Sequence, residues 1–221
     1  MKNAESVSIL ILAGGIGRRF GMYKPLIKLG NKPLILWVLD SLFRCRDYLD
    51  VSNIIISLKF KWQKDLINKI LPERIRRHIK FIFDSLKVQS ALVGIISASD
   101  ILSDSEFFFV CGADQPLINC ELVEYLVKKI CETNSDGVVP KWNNGYIEPL
   151  TALYRTQSFL SIATSEIQKN VFSLHKIISK LEISYISIEN ELSGFINSFL
   201  NINDKNDLIC AKELLKSTNH K

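Results

Sequence analysis

Short runs of consecutive apolar residues alternate along the chain with longer stretches in which apolar residues recur every three or four positions. The run Val7–Leu12 stops at two glycines, which is typical of a buried strand at the start of an α/β fold. Comparable runs predict four further strands at residues 51–58, 80–83, 107–111 and 136–140. Helical spacing predicts the intervening helices, which begin near Pro33, Trp62, Gln89 and Asn119.

Strands and helices therefore alternate from residue 7 to residue 140. This alternation predicts a parallel sheet with helices on both faces. The rest of the chain is less regular: it predicts strands at residues 150–154 and 183–188, and helices at residues 157–168, 174–181 and 206–215. The expected architecture is α/β, a single Rossmann-like three-layer α/β/α domain over residues 1–221 with a mostly parallel sheet.

Composition narrows the range of partners. Hydrophobic residues make up 47% of the chain, which supports a full core, and the net charge of +5 fits a small anionic ligand better than nucleic acid. No apolar run approaches the ~20 residues that a membrane helix needs, so no membrane association is predicted. The five cysteines are scattered, which predicts reduced thiols and a cytoplasmic protein without a zinc site.

The segment between Leu12 and Leu26 has the character of a phosphate-binding loop. It directly follows the first strand, where α/β proteins bind ligands, and its glycines allow backbone N–H groups to approach phosphate oxygens. It is neither a Walker A loop nor a dinucleotide-binding fingerprint. The nucleotide-binding candidates in this segment are Leu12, Ala13, Gly14, Gly15, Gly17, Arg19 and Lys24.

Five segments of the chain, in order, resemble motifs of the nucleotidyltransferases that activate sugar phosphates, alcohol phosphates and molybdopterin. Within that group the chain is most similar to the molybdenum cofactor guanylyltransferases. The segments are the loop itself, Asp84-Ser85-Leu86 followed by Leu92-Val93-Gly94, Cys111-Gly112-Ala113-Asp114-Gln115-Pro116, Glu148-Pro149-Leu150 with Tyr154, and Asn201-Ile202-Asn203-Asp204.

The resemblance implies a nucleotidyltransferase fold and an Mg²⁺-dependent transfer of GMP from GTP to the phosphate of molybdopterin, with release of pyrophosphate. Arg19, Lys24 and Asp114 would be the catalytic residues. Asp114 is the expected metal ligand, since it follows the fourth strand at the same sheet edge as the loop, and Asn203 is a second candidate. Asp84 would bind the guanine base. The nucleotide half would span about residues 1–115 and the acceptor half about residues 116–205.

Several alternatives stay open on the sequence. Gln115 also occurs in related cytidylyltransferases, so CTP is an alternative to GTP, and a sugar-phosphate or alcohol-phosphate nucleotidyltransferase is another. Ser90-Ala91 replaces the family's Gly-Pro. Asn203 and Asp204 fit either a metal site or a helix cap, and Glu148 fits either acceptor orientation or an ion pair. A nucleotide-binding regulatory protein is the non-enzymatic alternative. The resemblance also implies docking to molybdoenzymes or cofactor-inserting proteins.

Overall fold

A computed structural model describes residues 5–218, without the side chains of Arg18 and Thr218. Its strands are β1 (Val7–Leu12), β2 (Lys28–Leu29), β3 (Lys32–Pro33), β4 (Val51–Leu58), β5 (Ile79–Phe83), β6 (Phe107–Gly112), β7 (Gly137–Lys141), β8 (Ala152–Arg155) and β9 (Ile183–Ser187). Seven of them form one sheet in the order β5-β4-β1-β6-β8-β7-β9, while β2 and β3 form a separate hairpin. The predicted strands are all present in the sheet, with small shifts at their ends.

The first four strands of the sheet order are parallel, as predicted, with β1 between β4 and β6. Strand β8 departs from the simple alternation because it runs antiparallel to both of its neighbours, β6 and β7. Strand β7 leads into β8 through the turn at residues 142–151, and a connection without a crossover helix joins strands of opposite direction. The sheet is therefore mostly parallel, with one reversed strand beyond β6.

Helices cover both faces of the sheet. They are α1 (Leu34–Phe43), α2 (Lys61–Ile70), α3 (Glu73–Arg76), α4 (Ala91–Ser97), α5 (Ser99–Leu102), α6 (Cys120–Thr133), α7 (Thr156–Gln168), α8 (Leu174–Ile178) and α9 (Lys205–Thr218). Ile9 and Ile11 of β1 pack with α1, α2 and α6, whereas Leu10 packs with α4, α5, α7 and α8. Successive residues of β1 thus enter opposite cores, and the predicted three-layer architecture is confirmed.

The helix predicted at residues 89–102 is wrong in its extent, and the helices predicted at residues 174–181 and 206–215 end at Ile178 and Thr218 instead. The helix expected at residues 89–102 begins only at Ala91 and is divided at Ala98, whose backbone (φ −94°, ψ 0°) is not helical. Ser90 is the N-cap of α4, because its hydroxyl accepts a hydrogen bond from the N–H of Leu92. Gln89 consequently belongs to a loop at the carboxyl edge of the sheet.

A third, smaller core lies under the C-terminal helix. Ile27, Leu29 and Leu34 of the β2–β3 region pack against Ile202 and Ala211. The sequence pattern did not predict the β2–β3 hairpin, whose strands have two residues each. This core holds the start of α9 near the end of β6, because the Ile202 N–H donates to the carbonyl of Asp114 (2.9 Å).

The remaining predictions from composition concern thiols and membranes. All five cysteines are free thiols, of which Cys45, Cys111 and Cys120 are buried, while Cys131 and Cys210 are exposed. Within residues 5–218, no helix is long and apolar enough to cross a bilayer.

Candidate functional site

The glycine loop makes a tight reversal after β1. Gly17 has φ +66°, and a Cβ atom there would lie 2.4 Å from the carbonyl oxygen of Met22 and 2.9 Å from the backbone nitrogen of Lys24. Both the left-handed backbone and the close approach require glycine. The Phe20 N–H donates to the Gly17 carbonyl (3.0 Å), and the chain then returns so that Lys24 lies beside the start of the loop.

Lys24 lies between two oxygen-bearing side chains. Its ammonium group pairs with the carboxylate of Asp114 and donates to Oδ1 of Asn203 (3.0 Å). All three belong to the set predicted from the sequence, although 179 positions separate the lysine from the asparagine. The arrangement depends on Gly112, because a Cβ atom at that position would lie 2.2 Å from Oδ1 of Asp114. A larger residue would displace the carboxylate.

Asn203 and Asp204 each fit either a metal site or a helix cap on sequence grounds, and the structure shows different contacts for the two. Asn203 accepts a hydrogen bond from Lys24, which pairs with Asp114. Asp204 instead caps α9, since its Oδ1 accepts from the N–H groups of Asn206 (2.8 Å) and Asp207 (3.1 Å). Asp207 reciprocates by accepting from the N–H groups of Asn203 and Asp204. The cap therefore fixes the backbone from which Asn203 projects.

A cavity of about 450 Å³ opens over the loop. It brings together the three predicted catalytic side chains, including the exposed Arg19, in one place. Among the side chains that the structure describes, two cations and one carboxylate face this space, which suits a polyanion that also carries a divalent cation. The lining residues are Gly15, Ile16, Gly17, Arg19, Phe20, Lys24, Gln89, Asp114 and Asn203.

An adjoining cavity of about 280 Å³ contains Asp84 and shares Gly15, Gln89 and Asp114 with the first. Asp84 is half-buried, and its Oδ1 accepts a hydrogen bond from the Ser57 hydroxyl (3.4 Å). Burial raises the pKa of the Asp84 carboxyl above its usual range, although the Ser57 hydrogen bond and the charge of Lys59 oppose the rise. The carboxyl group of Asp84 thus stands at the second cavity with acceptor capacity beyond the hydrogen bond from Ser57.

Gly94 of α4 forms part of the wall of this second cavity. A Cβ atom at Gly94 would lie 2.9 Å from the Ser57 hydroxyl and 3.0 Å from a methyl group of Leu12. Any larger side chain would therefore disturb the hydroxyl that binds Asp84. Ser90 also serves the local structure, because its hydroxyl donates to the carbonyl of Phe172 (2.7 Å) while capping α4.

Two residues of the matched segments point away from both cavities. Gln115 is buried: its Oε1 accepts from the Gly112 N–H (2.8 Å) and its Nε2 donates to the Thr151 hydroxyl (2.6 Å), which ties the end of β6 to the start of β8. The presence of Gln115 is therefore only weak support for CTP as the substrate. Glu148 accepts from the Trp142 indole N–H (2.7 Å), and its burial raises the pKa of the carboxyl. The contact of Glu148 is thus with an indole N–H and not with a basic side chain, as the ion pair left open by the sequence would require.

Sequence reasoning missed several residues of the two cavities. Ser57 lies near the end of β4 and Lys59 directly follows it, both at the carboxyl edge of the sheet, so the rule that ligands bind at this edge could have identified them. The sequence pattern places Gln89 in a helix and gives no sign of a ligand site there, although Gln89 lines both cavities. Gly112 belongs to one of the matched motifs, but its steric effect on the Asp114 carboxylate is visible only in the folded structure.

Comparison with known proteins gives a consistent result. The sequence profile of the MobA-like NTP transferase domain matches residues 9–183. A probable molybdenum cofactor guanylyltransferase of Thermococcus sibiricus is 34% identical over 207 residues, covering 94% of this chain and 98% of the relative. A probable molybdenum cofactor guanylyltransferase of Pyrococcus furiosus is also 34% identical, covering 93% of this chain and 96% of the relative.

Solved structures agree with this assignment. The molybdopterin-guanine dinucleotide biosynthesis protein A of Archaeoglobus fulgidus superposes with a TM-score of 0.75 at 25% identity, covering 95% of this chain and 99% of that one. A 4-diphosphocytidyl-2C-methyl-D-erythritol synthase of Anaerococcus prevotii shares the fold, with a TM-score of 0.72 at 16% identity over 96% of each chain. The profile match, the curated relatives and the shared fold together establish that this chain belongs to the family of the MobA-like NTP transferase domain.

Proposed function

We propose that the protein transfers GMP from GTP to the phosphate of molybdopterin and releases pyrophosphate. The relatives that match nearly the whole chain carry the name molybdenum cofactor guanylyltransferase. The observation that carries the proposal is the pair of adjoining cavities, one with Arg19, Lys24 and Asp114 and the other with Asp84. Residues 1–115 would hold the nucleotide and residues 116–205 would hold the acceptor.

The chemistry of the first cavity fits this reaction. An oxygen of the acceptor phosphate forms a bond to the α-phosphorus of GTP, and the bond from that phosphorus to the bridging oxygen breaks, so its electron pair leaves with pyrophosphate. Because the attacking phosphate is already anionic, no strong general base is needed. Catalysis then depends on positioning and on neutralising the charge that develops on pyrophosphate. Arg19 and Lys24 are suited to that neutralisation.

We further propose that the site binds Mg²⁺ through Asp114 and Asn203. Their oxygens already converge on one cation, the Lys24 ammonium group, which supports their use as ligands of a metal ion. Within residues 5–218 no group of three or more His, Cys, Asp or Glu side chains could hold a metal. Mg²⁺ does not need such a group, because it typically takes one or two carboxylates and completes its shell with phosphate and water. When bound, Mg²⁺ would neutralise charge on the triphosphate.

Asp84 is the proposed contact to the guanine base. Guanine presents an N1–H and an amino group on one edge, and a carboxylate can accept hydrogen bonds from both. Cytosine lacks this pair of donors, so a carboxylate at Asp84 would favour GTP over CTP. Partial burial raises the pKa of Asp84, so its charge is partly desolvated, which increases the benefit of two donors from a ligand.

The base preference can be tested by nucleotide binding. In the parent protein we expect GTP with Mg²⁺ to bind more tightly than CTP. Asp84→Ala should weaken GTP binding by about 10- to 100-fold, the range expected for hydrogen bonds to a charged group, and should change CTP binding little. Isothermal titration calorimetry would measure both affinities, with Asp104→Ala as the matched control, since Asp104 is exposed and lies outside both cavities. Tighter binding of CTP than GTP by the parent would refute the guanylyl assignment.

The same residue should make the nucleotide-free protein less stable. The pKa of Asp84 is raised in the folded state above its ordinary 3.8, so folding disfavours the charged form; this cost is absent below pH 3.8 and fully present above the raised pKa. Asp84→Asn is therefore expected to raise the Tm of the nucleotide-free protein at pH 7, and the gain should shrink as the pH falls toward 4. Thermal unfolding across this pH range measures the effect. An unchanged or lower Tm at pH 7 would contradict it.

A further inference from the structure

Two carbonyl groups of the glycine loop are each held by a side chain from elsewhere in the fold. The Tyr23 hydroxyl donates to the carbonyl of Ala13 (2.7 Å), and Nε2 of Gln63 donates to the carbonyl of Gly14 (3.1 Å). Tyr23 lies where the loop returns toward β1, whereas Gln63 belongs to α2 and is 49 positions from Gly14. These two consecutive peptide groups begin the segment over which the first cavity opens.

Fixing a carbonyl also fixes the next N–H, because the two groups of a trans peptide point in opposite directions. The Ala13 carbonyl thus sets the direction of the Gly14 N–H, and the Gly14 carbonyl sets that of the Gly15 N–H. In the described part of the chain, neither N–H donates to a backbone carbonyl. Gly14 and Gly15 both line the second cavity, and Gly15 also lines the first. These two donors are therefore available to a ligand.

The two anchoring side chains are themselves firmly held. Gln63 is fully buried, and its Oε1 accepts from the N–H groups of Lys59 (2.8 Å) and Phe60 (2.9 Å), so only Nε2 can face Gly14. Tyr23 is buried under the edge of Trp62, with ring centroids 5.1 Å apart. That burial raises the pKa of the Tyr23 hydroxyl well above its usual range, so the hydroxyl stays protonated and remains a donor at neutral pH.

We propose that Tyr23 and Gln63 are positioning residues that orient the Gly14 and Gly15 N–H groups toward the phosphates of the nucleotide. The inference rests on the proposed function only in taking the ligand to be a polyphosphate. Glycine peptides rotate easily, so an unanchored loop would lose entropy each time it bound phosphate. With both carbonyls held, the donors are preorganised where phosphate charge must be stabilised.

The test uses substitutions that remove one hydrogen bond with little change of shape. Tyr23→Phe deletes the hydroxyl, and Gln63→Glu keeps the acceptor for Lys59 and Phe60 while replacing the donor to Gly14. Tyr23→Phe should weaken the binding of inorganic pyrophosphate with Mg²⁺ by up to about tenfold, as expected for one hydrogen bond, and Gln63→Glu should weaken it further, because its carboxylate also repels the Gly14 carbonyl and the anion. Binding of guanosine, which has no phosphate, should be unchanged. Tyr154→Phe is the matched control, because Tyr154 is also buried and donates its hydroxyl to a carbonyl, that of Pro149.

The two probes distinguish positioning from a general loss of structure. A fall in pyrophosphate affinity with guanosine affinity unchanged supports the proposal, whereas equal losses for both probes, or no loss for either, would overturn it. Because pyrophosphate carries no base, its binding does not depend on whether the substrate is GTP or CTP. A parent protein that binds pyrophosphate but prefers CTP would therefore refute the guanylyl assignment and leave this inference standing, with cytidine replacing guanosine as the probe without phosphate.

Discussion

Asp114→Asn is expected to lower kcat/KM for nucleotidyl transfer by on the order of 10³-fold while leaving the protein folded. Asparagine keeps the size of the side chain but removes the charge that we propose binds Mg²⁺ and that pairs with Lys24. The backbone bond from Ile202 to Asp114 does not involve the side chain, so the position of α9 should persist. Initial rates of pyrophosphate release at several Mg²⁺ concentrations measure the effect, and circular dichroism checks the fold.

The metal dependence separates a ligand from a residue that only supports the loop. If Asp114 binds Mg²⁺, the variant should need a higher Mg²⁺ concentration for half-maximal rate, and Asp104→Asn should behave like the parent protein. An Asp114→Asn variant that retains most of its activity with unchanged Mg²⁺ dependence would contradict the assignment of Asp114 as a metal ligand.

The companion variant Asn203→Ala should also lose activity and need more Mg²⁺, but the loss should be smaller, because a neutral amide oxygen is a weaker ligand than a carboxylate.

The sequence predicted the parts of the site that follow local rules. A glycine run directly after an apolar strand needs no tertiary information to be read as a ligand loop, and Asp114 follows another strand whose parallel direction places it at the same edge. The sheet layers were equally accessible, because burial on both faces produces continuous apolar runs. The proposed roles of Arg19, Lys24, Asp114 and Asp84 remain predictions, although the structure brings these side chains to two adjoining cavities.

The rest of the site depends on the direction in which each side chain points, and composition and spacing do not encode that direction. Asn203 and Asp204 are both short polar side chains that suit a cap or a ligand, and only the folded chain shows which of them faces Lys24. Gln115 adjoins Asp114 in sequence, yet its amide points inward to Thr151. Gln63 reads as one polar residue of an amphipathic helix, and its contact with Gly14 joins segments that are distant in sequence.

Lys24→Met should produce two changes of opposite sign. Turnover of GTP should fall by about 10²- to 10³-fold, the scale seen when one preorganised charge donor is removed from a transition state. In the nucleotide-free protein, however, the affinity for Mg²⁺ should rise. The Lys24 ammonium group lies between the oxygens of Asp114 and Asn203, so methionine would leave those oxygens free for a metal ion.

The opposite signs follow from one physical competition. The Lys24 ammonium group and a metal ion held by Asp114 and Asn203 would compete for the same oxygens, and their like charges would repel. With those oxygens holding a metal ion, the Lys24 ammonium group would be free to pair with the phosphates, where its charge is needed during the reaction. Lys24→Arg keeps the positive charge in a different shape and should not raise the Mg²⁺ affinity, which makes it the matched control. Calorimetric Mg²⁺ titration of the three proteins decides the matter: equal affinities for Lys24→Met and the parent would show that the ammonium group does not compete for the metal position.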